Sequence, residues 1–458
     1  MTAYSRIIPA YFNETYHIIA LRKTGDLPLI RRKATTFCLE EETADDFEAG
    51  DMDSFRLLSH ASTRGFLNRL PGPVHLLLYQ GYPDLENMAA REGWHIIANP
   101  SKLRVTLAGR AYFRDLIQTL EINGIPGGVY PVQEIYSRGY NHWADKIAPS
   151  FVIKLAEIRQ GGGKGVFFIH SPHEYETLRK NIKDGIWRGT KIESFSIEKF
   201  IDGIPVSLAL CITRHGILFS GLQRQLMDLP YCQGIPEAGI FCGHSWGETR
   251  WPISVKEEAF RQAGKICRHI AHMGYKGILG IDFVVDRKTR RVYPIEMNPR
   301  FTGAFPVLSQ FHLYHQLIPM EVFHILEFLD IPYEIDVEEI NRGYAQPLHG
   351  GHLILFRLME NRKLTGNIPK SGIYECHPDY GPVCFSEMGI DINKIMGGNR
   401  FLLADGPPDK PGERIGSHDP LRRLCRFLFP FPVVDSEGEL SVPGRASIEW
   451  FYRHIFGT

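Results

Sequence analysis

Residues 277–303 constrain this chain more than any other stretch. They read as two short apolar strands, the first running from Gly277 to Asp286 and the second ending at Glu296 and Asn298, joined by a charged turn that opens at Asp286. Side chains alternate between the faces of a strand, so Glu296 and Asn298 point the same way, with Asp282 on the neighbouring strand. Two carboxylates and an amide oxygen make an all-oxygen cluster, a donor set suited to a hard cation such as Mg²⁺ carrying nucleotide phosphates. Arg300 continues the spacing, where a planar guanidinium can grip a phosphoryl or carboxylate oxygen. The competing reading is a plain hairpin with solvated charges. Acids inside strands that otherwise read as buried speak against it, because an uncompensated buried carboxylate is costly.

Upstream, residues 151–154 read as a strand ending in Lys154, followed by the glycine run Gly161, Gly162, Gly163, Lys164, Gly165 and a second apolar strand. Glycines let backbone amides approach phosphate oxygens with no Cβ in the way, and Lys154 and Lys164 add positive charge. Taken alone, the run is equally a flexible hairpin. It is not a Walker loop, since neither Ser nor Thr follows Lys164 and a strand comes next. Ser171 and Glu174 form a capping box with Pro172 at N1, which predicts a helix there. Glu198, Lys199, Phe200 and Ile201 end a further strand, where the first two read in isolation as a solvated charge pair. Arg110 opens another helix, and an exposed first-turn arginine is the plain account of it.

Taken in this order, these elements resemble the ATP-grasp superfamily, most closely its biotin carboxylase and carbamoyl phosphate synthetase branch, over roughly residues 100–310. The family pattern has an acid in an apolar strand followed by Ile-Glu-Met/Ile-Asn-x-Arg. It also has a Val-Ile-Lys strand before a glycine lid, and a Glu-Lys-Tyr-Leu hinge whose backbone binds adenine. The resemblance implies that Asp282 and Glu296 hold Mg²⁺, with Asn298 on a second ion. It implies that Arg300 and Lys154 act on the transferred phosphate or acyl group. Gly162, Gly163 and Lys164 would cover the phosphates, Arg110 would contact the α/β-phosphates, and Glu198, Lys199, Phe200 and Ile201 would lie at the adenine. The interval from Lys154 to the glycines is longer than the family pattern. ATP and Mg²⁺, with Mn²⁺ as a substitute, are the cofactors implied.

The expected fold is α/β (α+β ATP-grasp). An N-terminal open α/β domain is placed over 1–105, the ATP-grasp domain over 106–335 with a lid at about 148–200, and a β-rich domain with a final helix over 336–458. The βαβ reading of 74–98 carries the first of these. A helix beginning at a second capping box, Ser254 to Glu257, precedes the Asp282 strand, with Ala259, Phe260, Ala263, Ile266, Cys267 and Ile270 as its apolar stripe and Gly274 as its stop. A chain of 458 residues exceeds one compact core. Lys+Arg equals Asp+Glu at 52 each, which argues against nucleic acid or an anionic membrane as a bulk partner. Eight scattered cysteines with no C-x-x-C read as reduced thiols, and no signal peptide is evident, so a cytoplasmic protein is expected.

The family chemistry implies a ligase that activates a carboxylate as an acyl phosphate and joins it to an amine, an amino acid among the substrates, in a homodimer. A carboxylase using bicarbonate and a non-catalytic ATP-binding scaffold are the alternatives. The hinge runs on as Gly203-Ile-Pro-Val-Ser-Leu instead of the carboxylases' His-Val-Glu element, and no biotin carrier segment is recognised. Gln223, Arg224, Glu237 and His244 fall in the loop region 221–248 where relatives contact substrate, although structural roles compete for each. Arg224 and Arg300 are the candidates to face the substrate carboxylate.

Overall fold

The computed structural model describes residues 3–43, 54–156, 165–229, 232, 239–247, 249–356, 367–376, 383–407 and 423–457. Near the N-terminus, β1 (His17–Ala20) pairs in parallel with β2 (Thr35–Cys38). The predicted βαβ unit follows as β3 (His75–Leu77), α1 (Pro83–Glu92) and β4 (His95–Ile97), with His75 opposite His95 in parallel register. Pro83 starts α1 with the φ a first turn requires, and Gly93 ends it in the left-handed region at φ 70°. Its buried face, Leu85, Met88 and Ala89, covers Leu76 and Leu78. Two further helices, α2 (Ser101–Ala108) and α3 (Arg110–Thr119), are separated by Gly109.

The lid-like unit is a four-stranded antiparallel sheet in the order β5 (Gly127–Pro131), β8 (Ser194–Lys199), β6 (Phe151–Leu155), β7 (Val166–Ile169). Helix α4 (Pro172–Asn181) packs Tyr175 and Leu178 against Phe151, Ile153, Phe195 and Ile197 of that sheet. The predicted capping box is formed. Ser171 Oγ accepts from the Glu174 N–H at 3.3 Å, and Glu174 Oε2 accepts from the His170 N–H at 2.6 Å. Gly161, Gly162, Gly163 and Lys164 lie outside the described residues.

The central sheet has eleven strands. In chain order these are β9 (Gly203–Thr213), β10 (Gly216–Phe219), β11 (Gln223–Met227), β12 (Phe241–Trp246), β13 (Gly277–Asp286), β14 (Val292–Asn298), β15 (Gly350–Phe356), β16 (Gly372–Glu375), β17 (Cys384–Glu387), β18 (Arg400–Ala404) and β19 (Arg423–Phe429). Across the sheet they run β14-β13-β9-β11-β12-β15-β19-β18-β16-β17, with β10 beside β9. The strands beyond residue 335 therefore continue the same sheet. Their junction is the antiparallel β12–β15 pair, from Gly243 opposite Leu353 to Trp246 opposite Gly350. Without it β12 would present an open edge of backbone donors and acceptors. Gly243 permits the close approach: a Cβ there would lie 1.9 Å from the His352 carbonyl oxygen, and its φ is +147°.

Helix α5 (Ile253–His272) covers one face of the sheet, and Gly274 stops it at φ +87° as predicted. The predicted box at Ser254 does not form. The helix already starts at Ile253 with Pro252 as N-cap and no side-chain cap, because Trp251 is buried and sets the entry one residue earlier. Packing compensates. Losing a cap costs about 1 kcal/mol, whereas each fully buried aliphatic side chain contributes about 1.5–3 kcal/mol, and Val255, Ala259, Ala263, Ile266 and Ile270 are all buried against Leu208, Leu210, Leu279, Ile281 and Phe283. Phe260 is only partly buried at the margin of this stripe. Because β9 and β13 alternate, the residues between these leucines and isoleucines, Ser207 and Asp282 among them, face the other way.

Helices α6 (Phe305–Tyr314) and α7 (Met320–Leu329) come after the hairpin, and the last helix, α8 (Val442–Phe456), starts ahead of its predicted apolar run because Ser441 caps it on the Gly444 N–H. It docks on this sheet, burying Ile448, Phe451 and Ile455 with Phe427, Phe429 and Phe401. None of the eight cysteines is joined in a disulfide. No helix among the described residues is long and apolar enough to cross a membrane.

Candidate active site

The predicted oxygen cluster assembles on the face of the β13–β14 pair opposite α5. Asp282 lies directly opposite Glu296 and Gly280 opposite Asn298, with a register shift between Asp282 and Phe283. Such a bulge re-aims side chains at the end of a pair. Asn298 Nδ2 donates to Asp282 Oδ2 at 2.9 Å and to Glu296 Oε1 at 3.3 Å, so its amide group sits where a cation would. Its Oδ1 accepts from Arg300 at 2.9 Å, which fixes the amide orientation. Gln225, on β11, donates to Asp282 Oδ1 at 2.9 Å.

Positive charge converges on this pair. Arg110, the first residue of α3, reaches Glu296 at 3.9 Å, and 44% of the Glu296 side chain remains open to solvent, so this contact is screened and weak. Enclosure by the surrounding protein raises the Glu296 pKa, but Arg110, Lys154 and Arg300 outweigh it and hold the carboxyl below its ordinary range. Asp282 moves the other way: burial first, then the Glu296 charge, push its pKa well up. Each carboxylate opposes ionisation of the other, and a divalent cation between them would favour the charged form of both. Among the described residues no group of three His, Cys, Asp or Glu side chains gathers. Two carboxylates and an amide oxygen remain a fitting donor set for Mg²⁺, provided the Asn298 amide turns over.

Lys154, 6% exposed on β6, makes an ion pair with Glu198 of β8 at 2.7 Å. Glu198 is thus the partner of Lys154, not of its neighbour Lys199. Phe200 stands edge-on to Phe168 and His170 of the lid strand, with ring centroids 5.9 and 4.8 Å away. The Lys199 and Phe200 N–H groups donate to Pro126 and Ser150 carbonyls at 2.8 and 2.9 Å. Among the described residues the Ile201 N–H makes no such bond. Gly162, Gly163, Lys164 and Glu237 lie outside the described residues.

Arg300 donates to the Tyr79 hydroxyl, to the Phe301 carbonyl at 2.9 Å and to Asn298, with its guanidinium carbon 5.1 Å from the Tyr79 ring centre. Arg224 is engaged elsewhere: buried to 5% exposure, it donates to the Asp435 and Ser436 carbonyls at 3.1 and 2.9 Å. Gln223 is buried and donates to Ser207 Oγ at 3.0 Å.

His244 belongs to a buried relay that the sequence reading missed. Arg426 can only donate, so His352 Nδ1 accepts from it at 3.1 Å and the His352 Nε2–H faces His244 Nδ1 at 3.0 Å. Burial and the Arg426 charge lower the His244 pKa to about 3, which keeps this imidazole neutral. Arg426 also pairs with Asp405 at 2.9 Å and donates to the Gly303 carbonyl at 3.2 Å, tying the segment after Arg300 to the sheet.

Residues 144–304 match the ATP-grasp domain family. Among curated proteins the chain is similar to the arginine-specific large chain of carbamoyl phosphate synthase from Geobacillus stearothermophilus, 24% identical over 209 residues, 44% of this chain and 17% of that one. The large chain from Clostridium acetobutylicum is 23% identical over 244 residues, 52% of this chain and 20% of that one. The matched stretch thus spans about a fifth of these relatives. Among solved structures, biotin carboxylase from Campylobacter jejuni aligns with a TM-score of 0.59 at 12% identity, over 93% of this chain and 84% of that one. The biotin carboxylase domain of Hydrogenobacter thermophilus 2-oxoglutarate carboxylase, a dimer with MgADP and bicarbonate, aligns with a TM-score of 0.58 at 13% identity, over 93% and 83%. An N5-carboxyaminoimidazole ribonucleotide synthetase in its ADP complex gives 0.54 at 12% identity, over 99% and 95%. At these identities the structural matches speak for the fold. Residues 144–304, with their opposed acids and paired Lys154, are an ATP-grasp domain homologous to that of carbamoyl phosphate synthase large chains.

Proposed function

We propose that this protein is an ATP-dependent carboxylate–amine ligase that forms an amide-type bond through an acyl phosphate and releases ADP and phosphate. The observation that carries the reading is the Asp282–Glu296 pair, held on one sheet face with Arg110, Lys154 and Arg300 acting on Glu296. Phosphoryl transfer to a carboxylate needs charge neutralisation, alignment and exclusion of water, and no covalent nucleophile from the protein. Mg²⁺ bound by Asp282, Glu296 and Asn298 would neutralise the polyphosphate and polarise the transferred group. Lys154, oriented by Glu198, supplies a fixed cation from the lid sheet. Turning of the Asn298 amide frees the Arg300 N–H now bound to Oδ1, so that guanidinium becomes available to the acid's oxygens. The free Ile201 N–H suits a ring-nitrogen acceptor of adenine at the hinge, beside Phe200.

The test is ADP release over a matrix of carboxylates with amines, with hydroxylamine as a trap. Carboxylate-dependent ADP together with a hydroxamate supports the ligase. ADP release that requires bicarbonate alone would move the assignment to a carboxylase. Binding of ATP·Mg²⁺ with no ADP from any acid would leave a scaffold.

A further inference from the structure

A small cleft opens where the loops after β3 and β4 meet the segment around Arg300. In open α/β units, ligands bind beyond the carboxyl ends of parallel strands, and this cleft sits there. Tyr79, Gly81, Asn99, Arg104, Arg300 and Phe301 line it. Its interior has room for little more than a water-sized group, so it suits only the end group of a substrate arm.

Its lining carries two guanidiniums, those of Arg104 and Arg300. Arg104 gives its Nε–H to the Gly81 carbonyl at 3.0 Å, and its terminal nitrogens make no hydrogen bond among the described residues. Neither Arg104 nor Arg300 makes an ion pair among the described residues. The Glu86 carboxylate accepts from both the Ser101 N–H and its hydroxyl. Burial lowers the Arg104 pKa and the Arg300 charge adds to that, so the two guanidiniums repel across the cleft, while Glu86 acts in the opposite direction. Enclosing two like charges is unfavourable unless an anion joins them. The walls are fixed in advance. Asn99 exchanges hydrogen bonds with the Lys276 backbone at 2.7 and 3.1 Å, Arg104 lies over the Tyr82 ring at 5.3 Å, and Arg300 lies over Tyr79.

We infer that this cleft binds a second anionic group of the acid substrate, with Arg104 as its specificity-determining residue. The inference rests on the ligase reading, in which Arg300 meets the reacting carboxylate. The substrate is then an acid with two anionic ends, the far one a carboxylate or a phosphate, since a guanidinium fork takes either.

Two measurements test this. Calorimetric titration of the whole chain with succinate, and separately with inorganic phosphate, reads binding without turnover. Saturable binding is expected in the wild type, weakened about 10- to 100-fold in Arg104→Met and less in Arg104→Lys. ADP release is then compared for matched acids: succinate against butyrate, aspartate against 2-aminobutyrate, phosphoglycolate against glycolate. Preference for the dianionic member is expected, with the KM of that acid raised in Arg104→Met while kcat and the KM for ATP hold. Whichever pair shows the larger preference names the far group. No binding of succinate or phosphate to the wild type, or equal losses for mono- and dianionic acids in Arg104→Met, would overturn the assignment. Arg104-dependent binding with no acid-dependent ADP release would remove the ligase reading and keep the anion site.

Discussion

Asp282 and Glu296 face each other across the β13–β14 pair with pKa shifts of opposite sign, Asp282 raised and Glu296 lowered. Ionisation of either carboxyl opposes that of the other, and a cation between them would relieve this. Asp282 with a raised folded-state pKa contributes stability that is present below its unfolded pKa and lost as pH rises. In metal-free protein, Asp282→Asn should therefore flatten the fall in thermal stability above the ordinary carboxylate range. Mg²⁺ with ATP should stabilise the wild type much more than the variant. Activity should drop by about 100-fold or more. Equal stabilisation of both proteins by Mg²⁺ and ATP would place the cation elsewhere.

Arg300 reaches Asn298, Tyr79 and the Phe301 carbonyl through a planar fork that lysine cannot reproduce. Arg300→Lys is expected to lower kcat about 100-fold while the KM for ATP holds. Steady-state kinetics separate this from a nucleotide role, in which the KM for ATP would rise with kcat unchanged.

Asp26 is fully buried, and burial raises its pKa to about 7, against hydrogen bonds from Thr24 and the Asp405 N–H. Its stabilising contribution is complete below about pH 4 and is lost as pH climbs through about 7, an upper bound on the order of 4 kcal/mol. Denaturant titrations of Asp26→Asn from pH 4 to 8 should show a shallower decline than the wild type. Parallel curves would mean that Asp26 stays ionised in the fold.

Gly243 admits no side chain, since a Cβ would meet the His352 carbonyl at 1.9 Å. Gly243→Ala should cost about 3 kcal/mol or more by forcing β12 from β15. A loss under 1 kcal/mol in urea titration would show that this junction yields easily.

The hairpin was readable because carboxylates interrupt otherwise apolar strands, a conflict that physics resolves only with a cation. The Ser171 cap was readable because helix start and chain entry coincide there; at Ser254 the same pattern lies inside a helix whose entry Trp251 sets. Gln225 left a faint signal, since Gln223 and Gln225 share one strand face two residues apart. The relay from Arg426 to His244 and the meeting of Tyr79, Arg104 and Arg300 depend on strand order and loop packing between distant segments, which local periodicity does not encode. The continuation of the sheet through β15 is hidden for the same reason.

The most direct test of the central claim follows oxygen from the acid. Once an acid supports ADP release, it is supplied with ¹⁸O in its carboxylate together with an amine, and the released phosphate is analysed by mass spectrometry. Transfer through an acyl phosphate is expected to place one labelled oxygen in each phosphate, and Glu296→Gln should abolish it. Phosphate released without label, at the same rate as ADP, would contradict carboxylate activation and leave only ATP hydrolysis by water.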